Sequence, residues 1–86
     1  MRFIIKNYVD KICIEDILKF GFENDIYLEN NEAEVLFFYL KNNWEDLIYN
    51  DPIPIINEIE LKLGKNKTKK ITDLFYLYKE KYKDYL

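Results

Sequence analysis

Histidine does not occur in this chain of 86 residues. Its absence removes the commonest general acid–base, the commonest zinc ligand and every Ser–His or Cys–His nucleophile pair. Cysteine occurs once, as Cys13; a single thiol builds no internal disulfide, thiolate zinc site or iron–sulfur cluster, and it fits a reducing cytoplasm. Glycine occurs only as Gly21 and Gly64, so neither the GxGxxG nor the GxxxxGK(S/T) phosphate loop is present. No run approaches the ~20 apolar residues of a membrane-spanning helix. The first residues, Met1-Arg2-Phe3-Ile4-Ile5-Lys6-Asn7, lack the long apolar stretch and small-residue cleavage site of a secretory signal. Together these absences predict a cytoplasmic protein without cofactor or catalytic centre. The one enzymatic route left is a carboxylate pair or a carboxylate-bound Mg²⁺. The candidate pairs are Asp25/Glu32, Glu45/Asp46 and Glu58/Glu60. Adjacent and i+2 carboxylates point apart on a helix, which makes them a solvated polar face rather than a metal site.

What is present is apolar and charged side chains in quantity. Hydrophobic residues are 49% of the chain and charged residues 34%, outside the composition of disordered segments. The length corresponds to one domain. Scaling laws give it roughly 5,500 Å² of surface when folded, and a margin of stability of about 4–13 kcal/mol. Ile, Lys, Asn, Tyr and Phe fill 47 of the 86 positions, and Lys outnumbers Arg twelve to one. That bias follows AT-rich codon usage and discounts arguments from aromatic content alone.

Helical periodicity dominates and no period-two run of strand length occurs. A first helix is expected over 2–10 with Phe3, Ile4, Tyr8 and Ile12 inward. A second is expected over 14–24, where Ile14, Ile17, Leu18, Gly21 and Phe22 recur at helical spacing. Glu15 and Asp16 suit its positive end, and Gly21 leaves room for a close neighbour. A third helix spans 30–42 on Ala33, Leu36, Phe37 and Leu40 and ends at Asn42-Asn43. Trp44 to Tyr49 forms a short turn or helical extension, with Trp44, Leu47 and Ile48 buried and Trp44 anchoring the hinge between two halves. Asp51 caps a fourth helix over 52–63 with Pro52 at its first position, facing inward with Ile55, Ile56, Ile59 and Leu63. Gly64 fits the left-handed position after it. Lys65-Asn66-Lys67 reads as a loop, Thr68 as the cap of a fifth helix over 69–84, and Ile71, Leu74, Phe75, Tyr78, Tyr82 and Tyr85 as its apolar stripe. The fold expected is all-α, one compact domain of four to five short helices.

Several of these landmarks coincide with a known pattern. The run Asp16-Ile17-Leu18-Lys19-Phe20, then Ile26 and Leu28, then Asn31-Glu32-Ala33-Glu34 opening a helix, resembles a family of small uncharacterised proteins. Leu40-Lys41-Asn42-Asn43-Trp44, Asp51-Pro52, Glu58, Leu63 and Leu74-Phe75-Tyr78-Lys79 extend the resemblance over nearly the whole chain. The family is a domain of unknown function in low-GC Gram-positive bacteria. The resemblance implies an intracellular all-helical fold and carries no catalytic residue. Cys13 and Glu29 depart from it, standing at two helix starts where Thr or Ser is expected and leaving those starts less well capped.

Two features point toward partners. The first is the aromatic excess: Phe20, Phe38, Tyr39, Tyr49, Tyr76 and Tyr85 fall off or at the edge of the apolar stripes. Fifteen aromatics are hard to bury in so small a domain, and Tyr and Trp are enriched at interfaces. An aromatic face on the third and fifth helices, carried by Phe38, Tyr39 and Tyr76, is the expected contact for a protein partner or a second copy. The second is Lys62, Lys65, Lys67, Lys69 and Lys70 in a stretch without acids. These lysines, with Lys65, Lys67, Lys69 and Lys70 foremost, suit phosphate at a helix start and make nucleic-acid binding the alternative. The net charge of −3 opposes that alternative, because the rest of the surface repels phosphate. The helix–extension–helix layout around Ile26-Tyr27-Leu28 is also that of small DNA-binding modules, but Glu32 and Glu34 stand where those carry Lys or Arg. Cys13, between Ile12 and Ile14, is expected to be a small buried residue.

Overall fold

The computed structural model describes residues 2–86, and among them every regular element is helical: α1 Arg2–Lys11, α2 Ile14–Glu23, α3 Asn30–Tyr49, α4 Ile53–Leu63, α5 Lys65–Lys81 and a closing 3₁₀ turn, Lys83–Tyr85. The all-α expectation holds. Helices α1, α2 and α4 pack on α3, and α5 packs on α4. The core is built from Ile17, Ile26, Leu28, Ala33, Leu36, Leu47, Ile55, Ile59 and Leu63.

Local chemistry explains the boundaries. The α2 helix starts at Cys13, whose N–H is taken by the Asp16 carboxylate at 3.0 Å. The α3 helix starts at Glu29, whose N–H donates to Glu32 Oε1 at 2.9 Å. In each case the acid at the third helical position closes half of a capping box, so the missing Ser or Thr is compensated from inside the helix. At the end of α2 the chain reverses through Asp25, which has φ +59. Ile26 N–H then bonds to Gly21 O at 2.8 Å and Asp25 N–H to Phe22 O at 3.3 Å, the bond pair of a Schellman ending. Gly21 makes the reversal possible: a Cβ there would lie 2.6 Å from Ile26 O and 3.0 Å from Leu28 Cδ1. The link beyond it alternates, with Ile26 and Leu28 buried and Tyr27 exposed.

The helical backbone breaks at Asn43 (φ −131, ψ 19), at the expected end of the third helix. Residues 44–49 follow as the expected helical extension, so that α3 is two segments joined at a kink. The Asn42 side chain donates to Phe38 O at 2.8 Å, one of the local bonds by which Asn competes with the helical ladder. Of the residues expected to be buried past the kink, Trp44 and Leu47 are, Ile48 is only half-buried, and the Trp44 ring meets Tyr49 edge-on at 6.4 Å. At the fourth helix, Asp51 Oδ1 accepts from Ile53 N–H at 3.0 Å, and Pro52 sits at the cap.

Four expectations are overturned. The α1 helix turns Ile5 and Val9 inward and leaves Phe3, Ile4 and Tyr8 exposed, because the Ile5/Val9 face is the one that meets α3, while Ile12, just past the helix, is half-buried as expected. Phe22 is 83% exposed, since α2 gives its narrow apolar stripe to α3 and to the returning link. Cys13 is exposed, being outside the helix it caps. Lys65-Asn66-Lys67 is the first turn of α5 rather than a loop, and Thr68 is buried inside that helix instead of capping it. Gly64 alone separates α4 from α5, at φ +85, ψ 167. The positive φ was expected, but this extended region, unlike the left-handed helical one, is essentially open to glycine alone.

Candidate functional site

The expected apolar stripe of α5 is not sealed. Ile71, Leu74 and Phe75 are half-buried, Tyr78, Tyr82 and Tyr85 are exposed, and only Thr68 on this helix is buried. Because α5 packs on α4, its inner face stands away from α1, α2 and the middle of α3. An apolar groove of about 590 Å³ runs between them. Its walls include Ile5 of α1, Ile12 just past that helix, Ile17 and Phe20 of α2, Leu36, Tyr39 and Leu40 of α3, Ile56 and Ile59 of α4, and Ile71, Phe75 and Tyr78 of α5. An enclosed void of that volume would cost about 14 kcal/mol, more than a fold of this size is worth. The space exists only as a groove open to solvent, and it contributes to a surface of 6227 Å², above the roughly 5,500 Å² of a well-closed chain.

Lysines hold the helices around this groove. Lys41 Nζ donates to Val9 O and joins α3 to α1. Lys67 Nζ lies 2.7 Å from Glu32 Oε1, and Lys79 Nζ donates to Leu47 O at 3.1 Å, so that two lysines of α5 reach across to α3. Burial raises the Glu32 carboxyl, but the Glu29 N–H and the Lys67 ammonium together hold it below the ordinary carboxylate range. Asp16, on the groove wall, is likewise held low by the Cys13 N–H and thiol. The Cys13 thiol stands above its usual range: a backbone hydrogen bond within the Asp16 cap favours the thiolate, but the Asp16 and Glu15 carboxylates beside the thiol outweigh it. That thiol is exposed yet poorly nucleophilic.

At the mouth of the groove four rings form a continuous ridge. Phe20 and Tyr78 have centroids 6.2 Å apart, Tyr78 and Tyr82 are stacked at 6.5 Å with 12° between planes, and Tyr82 and Tyr85 lie 6.3 Å apart. Each ring residue is between 39% and 60% exposed. At about 200 Å² for a whole ring residue this ridge offers roughly 380 Å², the size at which an apolar patch on a monomer usually marks a binding surface.

The anticipated residues are distributed differently. Phe38 and Tyr39 meet edge-on at 5.3 Å and line a second, more open hollow together with Lys62, and Tyr39 also lines the main groove. Tyr76 packs against Phe75 at 5.2 Å and lines neither hollow, so the structure does not join it to Phe38. Of the lysines, Lys67 is paired with Glu32 and also stands over the Tyr27 ring at 5.7 Å, and Lys69 is paired with Asp73 at 2.8 Å. Lys62, Lys65 and Lys70 are exposed. Among the described residues no three or more acidic or sulfur side chains gather as a metal site, and no helix is long and apolar enough to cross a membrane.

Thr68 and Lys79 escaped the sequence reading. Thr68 is 3% exposed, lines the groove, and its hydroxyl has no hydrogen-bond partner in the protein. Its position three residues before Ile71 and seven before Phe75 places it on the apolar stripe, a signal hidden by its suitability as a cap. Lys79 sits four residues after Phe75, on the margin of the same stripe. Comparison of the chain with protein-family models, with curated proteins and with solved structures returned no match.

Proposed function

We propose that this chain is a non-catalytic interaction module that docks a protein partner, or a second copy of itself, on the Phe20–Tyr78–Tyr82–Tyr85 ridge. The observation that carries the reading is the continuity of the ridge across two helices. Rigid amphipathic rings give large contact area at low entropy cost, which is why such residues anchor interfaces. The Phe38–Tyr39 pair extends the aromatic surface, while Tyr76 stands apart from it. A cytoplasmic setting accords with the single exposed thiol. The phosphate-binding alternative has less support, since Lys67 and Lys69 already hold carboxylates.

A photo-crosslinking side chain at Tyr82 tests the proposal, with the same group at Glu58 as control. A discrete cross-linked species from Tyr82 and none from Glu58 is expected, and Tyr78→Ser should abolish it. Equal labelling from both positions, or none from either, refutes the ridge as a docking surface. Association that weakens steeply between 50 and 200 mM salt would transfer the role to the lysines.

A further inference from the structure

We propose that the groove binds one long-chain carboxylate, its tail lying along the inner face of α5 and its head on Lys79. This goes beyond the docking role and is argued independently of it, although Phe20, Tyr78 and Tyr82 of the ridge also line the groove at its mouth. The volume of about 590 Å³ falls inside the roughly 300–1,000 Å³ of small-ligand sites, which are largely apolar with a few placed polar groups. The shape favours a linear guest: Thr68 and Lys79 both line the groove, and eleven helical residues separate them by about 16 Å. Between them α5 contributes Ile71, Thr72, Leu74, Phe75 and Tyr78 to the lining, and Leu36, Leu40 and Ile59 line the groove from α3 and α4.

The charges on the wall select the head group. Asp16 and Lys79 are the two charged side chains among the lining residues. Asp16 is committed to the start of α2, where the Cys13 N–H and thiol bond its carboxylate at 3.0 and 3.2 Å, and the positive end of that helix offsets its charge. Lys79 has no carboxylate partner. Its ammonium donates to the Leu47 carbonyl near the end of α3, and a helix C-terminus carries only about half a negative charge. A net positive charge thus remains at the wall of the apolar groove, on a half-buried lysine that lines it and whose ammonium lies 5.4 Å from the Phe75 ring, with Tyr82 and Leu86 lining the groove beyond. An anionic head with a hydrocarbon tail complements both halves of that arrangement; a cationic head does not.

Calorimetric titration of the whole chain with dodecanoate, dodecanol and dodecyltrimethylammonium, each kept monomeric, tests the assignment. Dodecanoate should bind one to one, and at least tenfold more tightly than either of the others. Lys79→Met keeps the apolar stem and removes the charge; it should weaken dodecanoate about tenfold and leave dodecanol unchanged, and the retained dodecanol binding verifies that the variant is folded. Amide shifts on adding dodecanoate should centre on Ile71, Phe75 and Tyr78. The proposal is overturned if dodecanoate does not bind, if the three head groups bind alike, if Lys79→Met leaves dodecanoate affinity intact, or if the shifts centre on Phe38, Lys62 and Leu63 of the second hollow. Cross-linking at Tyr82 is read on ligand-free protein, so failure of the docking role and failure of the ligand site are distinguished.

Discussion

Replacing Gly64 by alanine isolates backbone strain from packing. A Cβ at this position would meet nothing within 4 Å, so no clash contributes to the cost. The backbone is held at φ +85, ψ 167, where an L-residue loses about 1–3 kcal/mol. Alanine also restricts the unfolded chain and recovers about 0.4–1 kcal/mol of that. The net expectation for Gly64→Ala is a loss of about 1–2 kcal/mol, read as a lower urea midpoint at unchanged slope and a melting point lower by about 4–8 °C per kcal/mol. Chemical synthesis allows a sharper control. D-alanine at the same site accepts positive φ and keeps only the unfolded-state gain, so that protein should be more stable than the glycine original. If the two enantiomers have equal effects, or the L form costs less than about 0.3 kcal/mol, the reasoning about Gly64 is refuted.

Three further perturbations probe neighbouring features. Gly21→Ala should lose about 1–3 kcal/mol, because overlap with Ile26 O at 2.6 Å outweighs the helix-propensity gain of up to about 1 kcal/mol; a stabilised variant by thermal unfolding would contradict the close approach. Thr68→Val should raise stability by about 1 kcal/mol, since it removes a buried hydroxyl without a partner at nearly constant volume, and a lower denaturant midpoint would show that the hydroxyl is bonded. Glu32→Gln should cost about 1–2 kcal/mol at pH 7 through the Lys67 pair and the α3 cap. The Glu32 carboxyl is depressed in the fold relative to about 4.5, so its contribution is complete above that pH and is lost as pH falls through the lower folded value. The gap between wild type and Glu32→Gln in urea melts should therefore be constant from pH 5 to 8 and close toward pH 3.

Where sequence and structure agree, one physical signal dominates. Ala33, Leu36, Ile55, Ile59 and Leu63 repeat at helical spacing and are buried, and Asp51-Pro52 marks its boundary within one residue. Disagreements arise where two signals compete. In α1 every turn carries apolar residues, so periodicity alone could not choose between Phe3/Ile4/Tyr8 and Ile5/Val9; the choice is made by α3. At the start of α5, Thr68 satisfied a capping rule, but Gly64 in its unusual conformation ends one helix and begins the next, leaving no loop for Thr68 to close. The groove was not legible at all. The apolar stripe from Ile71 to Tyr85 announces burial, and nothing local to α5 records that the helix packs chiefly on α4 and leaves an open groove beside the core.

The single-residue joint also sets what a broken joint would produce. If residue 64 turned helical, α4 and α5 would merge into one straight rod from Ile53 to Lys81, roughly 44 Å long, against a longest extent of 31 Å for the folded chain. Such a rod cannot fold back over its own core, and the α5 stripe would have to close the groove of another molecule. Strained, short hinges are the usual starting point of this exchange of segments between copies. One glycine thus holds the chain to a self-contained topology, and concentrated Gly64→Ala protein would relieve its strain by trading fifth helices in reciprocal pairs.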